Sequence, residues 1–406
     1  MALLMAGIMV LAVNLRASIT SLPPVFPELA AALHLSTAVV AVLAAAPVVC
    51  FGLFSGLGAP LSRRLGEERV LLAALLLLAG GLLLRAALPA AMLFPGTVLA
   101  GGAIALMNVL LPSLIKRRHP EHAGLLIGTY LLMLGAGSVV ASLIAVPVFK
   151  AAGNGAGWPV ALTLGLWALP ALAAAVVWLP QIRYRTRPAR AERPARAAVH
   201  RHALAWQVAA FMGLQSMTYY AALSWLPTLF RDRGVSAAAA GGLLALMNLG
   251  NGVAALLAPT LAHRARDQRL LIAGAVLATG GGLAGSLFAP TASAVACTLL
   301  LGLGQGGTLG LAIFSTMARA PDPVTSASLS GFAQGTGYLI AAAGPLAVGF
   351  LHTATGGWTV PVLALLGVVG LELWAGLLAG RARTLPGDRP CPGESPCPGE
   401  SQPVSG

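Results

Sequence analysis

The chain has 406 residues, of which 57% are hydrophobic and 9% charged, with 25 Lys and Arg against 12 Asp and Glu. A soluble domain carries roughly 25% charged residues, so this inventory cannot furnish a water-facing surface, and the same apolar content excludes a disordered chain. The net charge of +13 therefore calls for an explanation other than nucleic acid. Taken in chain order, the uncharged runs predict twelve spans near 2–22, 37–58, 70–88, 91–115, 123–147, 158–179, 204–228, 236–258, 269–289, 293–317, 326–350 and 358–380. Each has about the 20 residues that a helix needs to cross the hydrocarbon core. The two longest uncharged intervals, 270–318 and 323–371, are divided by Pro290 and by Gly356-Gly357. The runs are rich in Leu and Ala and lack period-two alternation, so they read as helices and not as barrel strands.

Positive charge orients these spans. The loops after spans 2, 4, 6, 8 and 10 and the C-terminal tail hold 20 of the 25 Lys and Arg, leaving Arg16, Arg85, Lys150, Arg231 and Arg233 elsewhere. By the positive-inside rule both termini are expected in the cytoplasm, and the excess charge is largely a topology signal. The first span lacks the basic n-region and cleavage site of a signal peptide. Of the five remaining positive charges, four are expected at span ends or outer loops, and Arg16 is placed well inside span 1.

The chain also divides in two. Residues 181–202 contain seven arginines and read as a solvated linker between six spans and six. The expected organisation is an N-terminal bundle at 1–180, a basic cytoplasmic linker at 181–203, a C-terminal bundle at 204–381 and a disordered cytoplasmic tail at 382–406. Short matches recur at an offset near 200: Ala59-Pro60 with Ala258-Pro259, Arg69-Val70-Leu71 with Arg269-Leu270-Leu271, and Gly157-Trp158 with Gly357-Trp358. Two parallel six-helix repeats with a site between them at the midplane form a known transporter architecture.

Several strings carry a closer resemblance. Asn14-Leu15-Arg16-Ala17-Ser18-Ile19-Thr20-Ser21 is followed by Pro24-Val25-Phe26-Pro27-Glu28; further on come Asn108-Val109-Leu110-Leu111-Pro112-Ser113, Ser224-Trp225-Leu226-Pro227, Gly302-Leu303-Gly304-Gln305-Gly306-Gly307 and Leu329-Ser330-Gly331-Phe332-Ala333-Gln334. Jointly these resemble the cyanate/2-nitroimidazole transporter (CynX/NimT) family of the major facilitator superfamily. The resemblance implies an all-α membrane protein with twelve transmembrane helices in two pseudo-symmetric six-helix bundles. In the loop after span 2, where the superfamily carries Gly-x-Leu-x-Asp-Arg-x-Gly-Arg-Arg, Arg64 and Gly66 fit, but Arg63 stands for the Asp and Glu67-Glu68 for the basic pair. A gating role for that Asp does not carry over. Span 8, with Asn248 and Asn251, departs most from the family pattern.

Arg16 is the leading candidate for function. An arginine in mid-membrane costs roughly 2.5–3.5 kcal/mol and cannot shed its proton, so its charge must meet an anion, carbonyls or water. It reads either as an anion-binding charge in a central cavity or as a side chain snorkelling to the interface. Asn14 is a further binding candidate, ranked below Arg16 because it lies two residues away, about 200° round the helix, and both cannot face a cavity in a regular helix. In span 7 Gln215 and Tyr219 form a stripe with Tyr220 beside it, and in span 11 Ser330, Gln334 and Tyr338 stand four apart. Such stripes line a polar cavity or join helices by hydrogen bonds. Asn108 and Gln305 sit mid-span in helices that, by the resemblance, line the cavity. Glu28 and Glu372 are candidates for ion coupling, each with a competing reading at a span end or lipid edge.

Two motifs are set aside. Gly302-x-Gly304-x-x-Gly307 matches a dinucleotide fingerprint without a βαβ unit around it, and Gly52-x-x-x-Gly56 reads as close helix approach. Paired carboxylates, a Ser/His pair and metal ligands are missing from the spans, so neither catalysis, a metal nor a cofactor is expected. The expected protein is a monomeric secondary transporter in the inner membrane, moving a small anion such as cyanate or a small polar compound by alternating access. An exporter of nitroimidazole-like compounds is the nearest alternative; a channel and a non-transporting receptor are rivals of other classes.

Overall fold

The uncharged runs are helices. A computed structural model describes residues 2–87, 90–118, 120–153, 158–184, 186, 199–265 and 267–385, and among these residues no strand occurs. Numbering the long elements in chain order, the first half contains α1 (Ala2–Thr20), α2 (Thr37–Phe54), α3 (Glu67–Ala86), α4 (Leu93–Arg118), α5 (Ala123–Ala151) and α6. The last is made of two pieces, Trp158–Gly165 and Ala168–Trp178. The second half contains α7 (Ala203–Asp232), α8 (Ala237–Arg264), α9 (Arg269–Phe288), α10 (Ala294–Ala318), α11 (Pro323–Thr355) and α12 (Thr359–Ala379). Eleven of the spans are apolar enough by length and composition to cross a membrane; α7, 30 residues long, falls outside that group. Its sequence is diluted by Gln207, Gln215, Ser216, Thr218, Tyr219 and Tyr220, and twenty of its residues are buried, because it is shielded by other helices.

Several boundaries differ from the sequence expectation. Span 1 continues beyond its expected end at residue 22, to Leu33. A 3-10 turn at Pro23–Val25 leads into a separate helix, Phe26–Leu33, which His34 terminates in the left-handed region at φ 52°. A second short helix, Gly58–Leu65, follows α2. Gly66, at φ 89°, then turns the chain into α3, a conformation that glycine adopts without a Cβ clash. Helix α3 starts at Glu67, so Glu67 and Glu68 occupy its first turn, where the helix dipole favours carboxylates.

The two halves repeat in detail. Ser36 caps α2 by accepting from the Val39 N–H, and Ser236 caps α8 by accepting from that of Ala239. At the end carrying the linker and the arginine-rich loops (the near end), the Arg118 guanidinium lies 3.9 Å from the Glu68 carboxylate, and Thr186 closes onto Glu68 and the Glu67 N–H. The second half substitutes an amide: Arg319 donates to Gln268, and the Leu385 N–H donates to the Arg319 carbonyl. Residues expected in a solvated linker and a disordered tail thus pack back on their own halves as far as Thr186 and Leu385; 187–198 and 386–406 lie outside the described residues.

Contacts between the halves run along α2 with α11 and α5 with α8. A Cβ on Gly349 would fall 2.3 Å from that of Ala41, and one on Gly241 2.8 Å from the Ser142 carbonyl. Both positions lie toward the far end. There the Glu28 carboxylate accepts from Arg231 at 2.7 Å, and the rings of Phe26, Trp225 and Trp358 follow one another at 6.3 and 6.1 Å.

Two expectations need correction. Arg85 is at the end of a span, as expected, but it is buried, and its Nη1 donates to the Ser18 carbonyl at 3.1 Å. The Gly52-x-x-x-Gly56 stripe is half real: Gly52 meets Leu339, whereas nothing lies within 4 Å of Gly56.

Candidate binding site

Helix α1 delivers Arg16 to the junction of the halves. Thr20 returns its hydroxyl to the Arg16 carbonyl at 3.0 Å and Ser18 returns its own to Asn14 at 2.8 Å, the local back-bonding that lets hydroxyl residues sit in an apolar helix. Arg16 itself does not snorkel. Its Nη1 donates to the Tyr219 hydroxyl of α7, and its guanidinium carbon stands 5.1 Å from the Tyr219 ring centre. The Tyr219 hydroxyl passes its own proton to Asn248 Oδ1 of α8 at 2.9 Å, and the Asn248 amide is anchored on the Leu244 carbonyl at 3.0 Å. The donors are thereby ordered from Arg16 through Tyr219 to Asn248. No carboxylate among the described residues forms an ion pair with Arg16.

Aromatic rings surround this charge. Tyr219 and Tyr220 are 5.1 Å apart, Tyr220 and Tyr338 6.4 Å, and Phe51 of α2 joins Tyr338 at 5.6 Å and Tyr220 at 6.3 Å, all edge-on. Edge-to-face pairs of this kind hold rings rigidly. Tyr130 of α5 donates to Asn108 of α4 at 3.2 Å. Toward the far end Ile19, Leu22, Phe26, Leu43, Pro47 and Leu223 line a small pocket that also reaches Tyr220. The result is one cation, ordered neutral donors and acceptors, and flat aromatic walls. It suits a small planar anion or a polar ring.

The structure brings together Arg16, Tyr219, Tyr220 and Tyr338 of the expected residues, and Asn108 pairs with Tyr130. Four others lie elsewhere. Asn14 donates to the Val10 carbonyl at 2.8 Å, on the face away from Arg16. Gln215 turns back on its own helix, to Met212 and Ser216. Gln334 is exposed and donates to Ser330 at 2.9 Å. Gln305 is buried inside the second half with neither amide atom hydrogen-bonded. Of the coupling candidates, Glu28 is the far-end partner of Arg231, and Glu372 is fully buried, which removes the lipid-edge reading for it.

Asn248, Tyr130 and Phe51 were not singled out as binding residues in the sequence. A polar amide midway along α8 was visible, and so was the one tyrosine of α5; Phe51 carried no signal beyond its apolar run. Among the described residues no group of three His, Cys, Asp or Glu is placed to hold a metal ion.

Comparison with known proteins agrees with this architecture. A sequence profile of the Major Facilitator Superfamily matches residues 7–345. The 2-nitroimidazole transporter of Escherichia coli (strain K12) is 40% identical over 387 residues, covering 94% of this chain and 96% of that protein. The cyanate transport protein CynX of the same strain is 30% identical over 371 residues, covering 90% and 95%. Among solved structures, a bacterial homologue of the human lysosomal transporter Spinster, inward-facing and unoccupied, superposes with a TM-score of 0.76, covering 93% of this chain and 96% of that one. At 15% identity that likeness concerns the fold.

Proposed function

The chain belongs to the major facilitator superfamily, within its cyanate/2-nitroimidazole transporter family, and from that premise we propose that its cargo is a small anion, cyanate-like in size, held by Arg16. It is a multi-pass membrane protein and a secondary transporter of small substrates. One observation carries the assignment of cargo. Arg16 is a mid-membrane cation at the meeting of the two halves, held by a tyrosine hydroxyl and, among the described residues, by no carboxylate. A buried charge without a counter-ion is costly, and an anionic substrate would supply the missing partner.

In this reading Tyr219 and Asn248 orient the substrate while Tyr220, Tyr338 and Phe51 close round it. Alternating access follows from a site reached from one face of the membrane at a time. The distribution of Lys and Arg supports cytoplasmic placement of both termini in an inner membrane, with bundles at 1–180 and 204–381 joined by the 181–203 linker.

Uptake of labelled cyanate into vesicles tests the proposal. Arg16→Gln should lower it by about 10- to 100-fold, the worth of a hydrogen bond to a charged group, with Arg16→Lys in between. Undiminished uptake by a normally folded Arg16→Gln protein would sink the role. The aromatic walls favour a second reading, transport of a nitroimidazole-like ring, which the name of the 40%-identical relative also supports. Binding of neutral 2-nitroimidazole that survives Arg16→Gln would select it.

A further inference from the structure

Glu372 is the only acidic residue of α12, on a buried stripe with Val369, Ala375 and Gly376. It points into the second half, not into the Arg16 site. Thr218 of α7 stands 3.4 Å from its Oε2, Thr308 of α10 is a second hydroxyl close to it, and Oε1 has no partner. Each hydroxyl has one proton and two acceptors: Thr218 also reaches the Gln215 carbonyl at 2.9 Å, and Thr308 the Gln305 carbonyl at 3.0 Å. One turn from Thr308, the Gln305 side chain is buried with both amide atoms unpartnered.

The charges around this carboxyl are distant. Helix α9 has no titratable side chain between Arg269 and its end. Arg269 and Arg319 are committed to the Leu377 carbonyl and to the Ala379 and Gly380 carbonyls, beyond Glu372 toward the near end. From α10 only Cys297 can titrate, and it lies beside Ser293 at the opposite end of that helix. From α11, Tyr338 belongs to the Arg16 cluster and His352 stacks on Trp358. On α7, Tyr219 and Tyr220 face Arg16, while Arg231 and Asp232 are engaged at the far end by Glu28 and Trp358. An ionised carboxylate here would meet two hydroxyls and no cation, which a dry interior does not support. A neutral carboxylic acid costs far less here than the carboxylate.

We propose that Glu372, with Thr218, Thr308 and Gln305, forms a proton-binding site coupled to the substrate site through α7. This rests on the transporter reading. Glu372 takes up one proton on Oε1, and each threonine hydroxyl then turns to its backbone carbonyl; release of the proton to water returns the hydroxyls to the carboxylate. Thr218 and Tyr219 are consecutive, so a shift of α7 that serves one site is felt at the other.

Infrared spectra of the purified protein in lipid, titrated with pH, test the proton site without any substrate. The wild type should show a buried carboxylic-acid band that Glu372→Gln removes. Thr218→Val should keep the band and move the midpoint of its titration. A band that survives Glu372→Gln, or a wild type without one, overturns the proposal. Coupling is read in proteoliposomes containing a pH-sensitive dye, with 2-nitroimidazole and cyanate as probes. Glu372→Gln should cut probe-driven proton movement about tenfold or more while probe-for-probe exchange persists. Proton movement at the wild-type rate in Glu372→Gln overturns the coupling. If the wild type exchanges neither probe, the assignment of cargo fails, and the infrared result still decides the proton site.

Discussion

Tyr219 does two jobs with one oxygen, accepting from Arg16 and donating to Asn248. Removing that oxygen leaves a guanidinium donor and an amide acceptor without each other's intermediary, in a site too dry for water to substitute freely. Each orphaned buried group costs about 1–3 kcal/mol. Tyr219→Phe is therefore expected to lower the melting temperature of the substrate-free protein and to raise the KM for the transported probe about 5- to 30-fold; an unchanged KM would detach Tyr219 from substrate binding. Arg16 was legible in the sequence because a charge amid apolar residues has few explanations. Its partners were less so. Asn248 appeared only as a departure in α8, since nothing in one chain says which helix faces which. Gln215 shares a stripe with Tyr219, yet it bonds within its own helix, because a long amide can satisfy itself locally when a methionine carbonyl is in reach.

At the scale of the helix, glycine spacing in α10 explains a motif that otherwise suggests nucleotide binding. A Cβ on Gly302 would meet the Met247 carbonyl at 2.3 Å and one on Gly306 the Asn251 carbonyl at 2.1 Å, whereas Gly304 faces Thr279 of α9. Helix α10 is thus wedged between two neighbours by glycines on two faces, the small-residue packing used in membranes. Gly306→Ala should destabilise the protein by about 1–3 kcal/mol through overpacking, whereas Gly252→Ala, with nothing within 4 Å, should be tolerated. Equal melting temperatures for the two variants would contradict this account. Span number and order were legible because charge punctuates apolar runs. The short helices at Phe26–Leu33 and Gly58–Leu65 were not, since proline and glycine there read as turns. Helix α7 was legible as uncharged, but its polar residues become intelligible only when it is seen packed against α11, α12 and α10.

Across the whole molecule, duplication was visible as short matches, and the structure turns them into paired devices: serine caps at 36 and 236, arginine clasps at 118 and 319. The proposed sites depart from that symmetry, because Arg16 lies in the first half and Glu372 in the second. The gap between the halves is also uneven. Ser330, Gln334 and Tyr338 share one stripe of α11; Tyr338 packs on Phe51 of the first half, while Gln334, one turn nearer the linker end, is exposed. At the far end Glu28 meets Arg231 across the halves at 2.7 Å. Both side chains of that pair are about one-fifth exposed (23% and 19%). Such a pair contributes roughly 0.2–1 kcal/mol, enough to shift a two-state equilibrium up to about fivefold. The prediction uses Gln334→Cys in a background lacking Cys50, Cys297, Cys391 and Cys397, labelled by an impermeant maleimide from the near end. Adding Glu28→Gln should weaken far-end closure and slow labelling about two- to fivefold. Exchanging the charges, Glu28→Arg with Arg231→Glu, should restore the original rate, because attraction across the gap survives the swap. Labelling that ignores Glu28→Gln would mean that the packing of Phe26, Trp225 and Trp358 closes the far end without help from the ion pair.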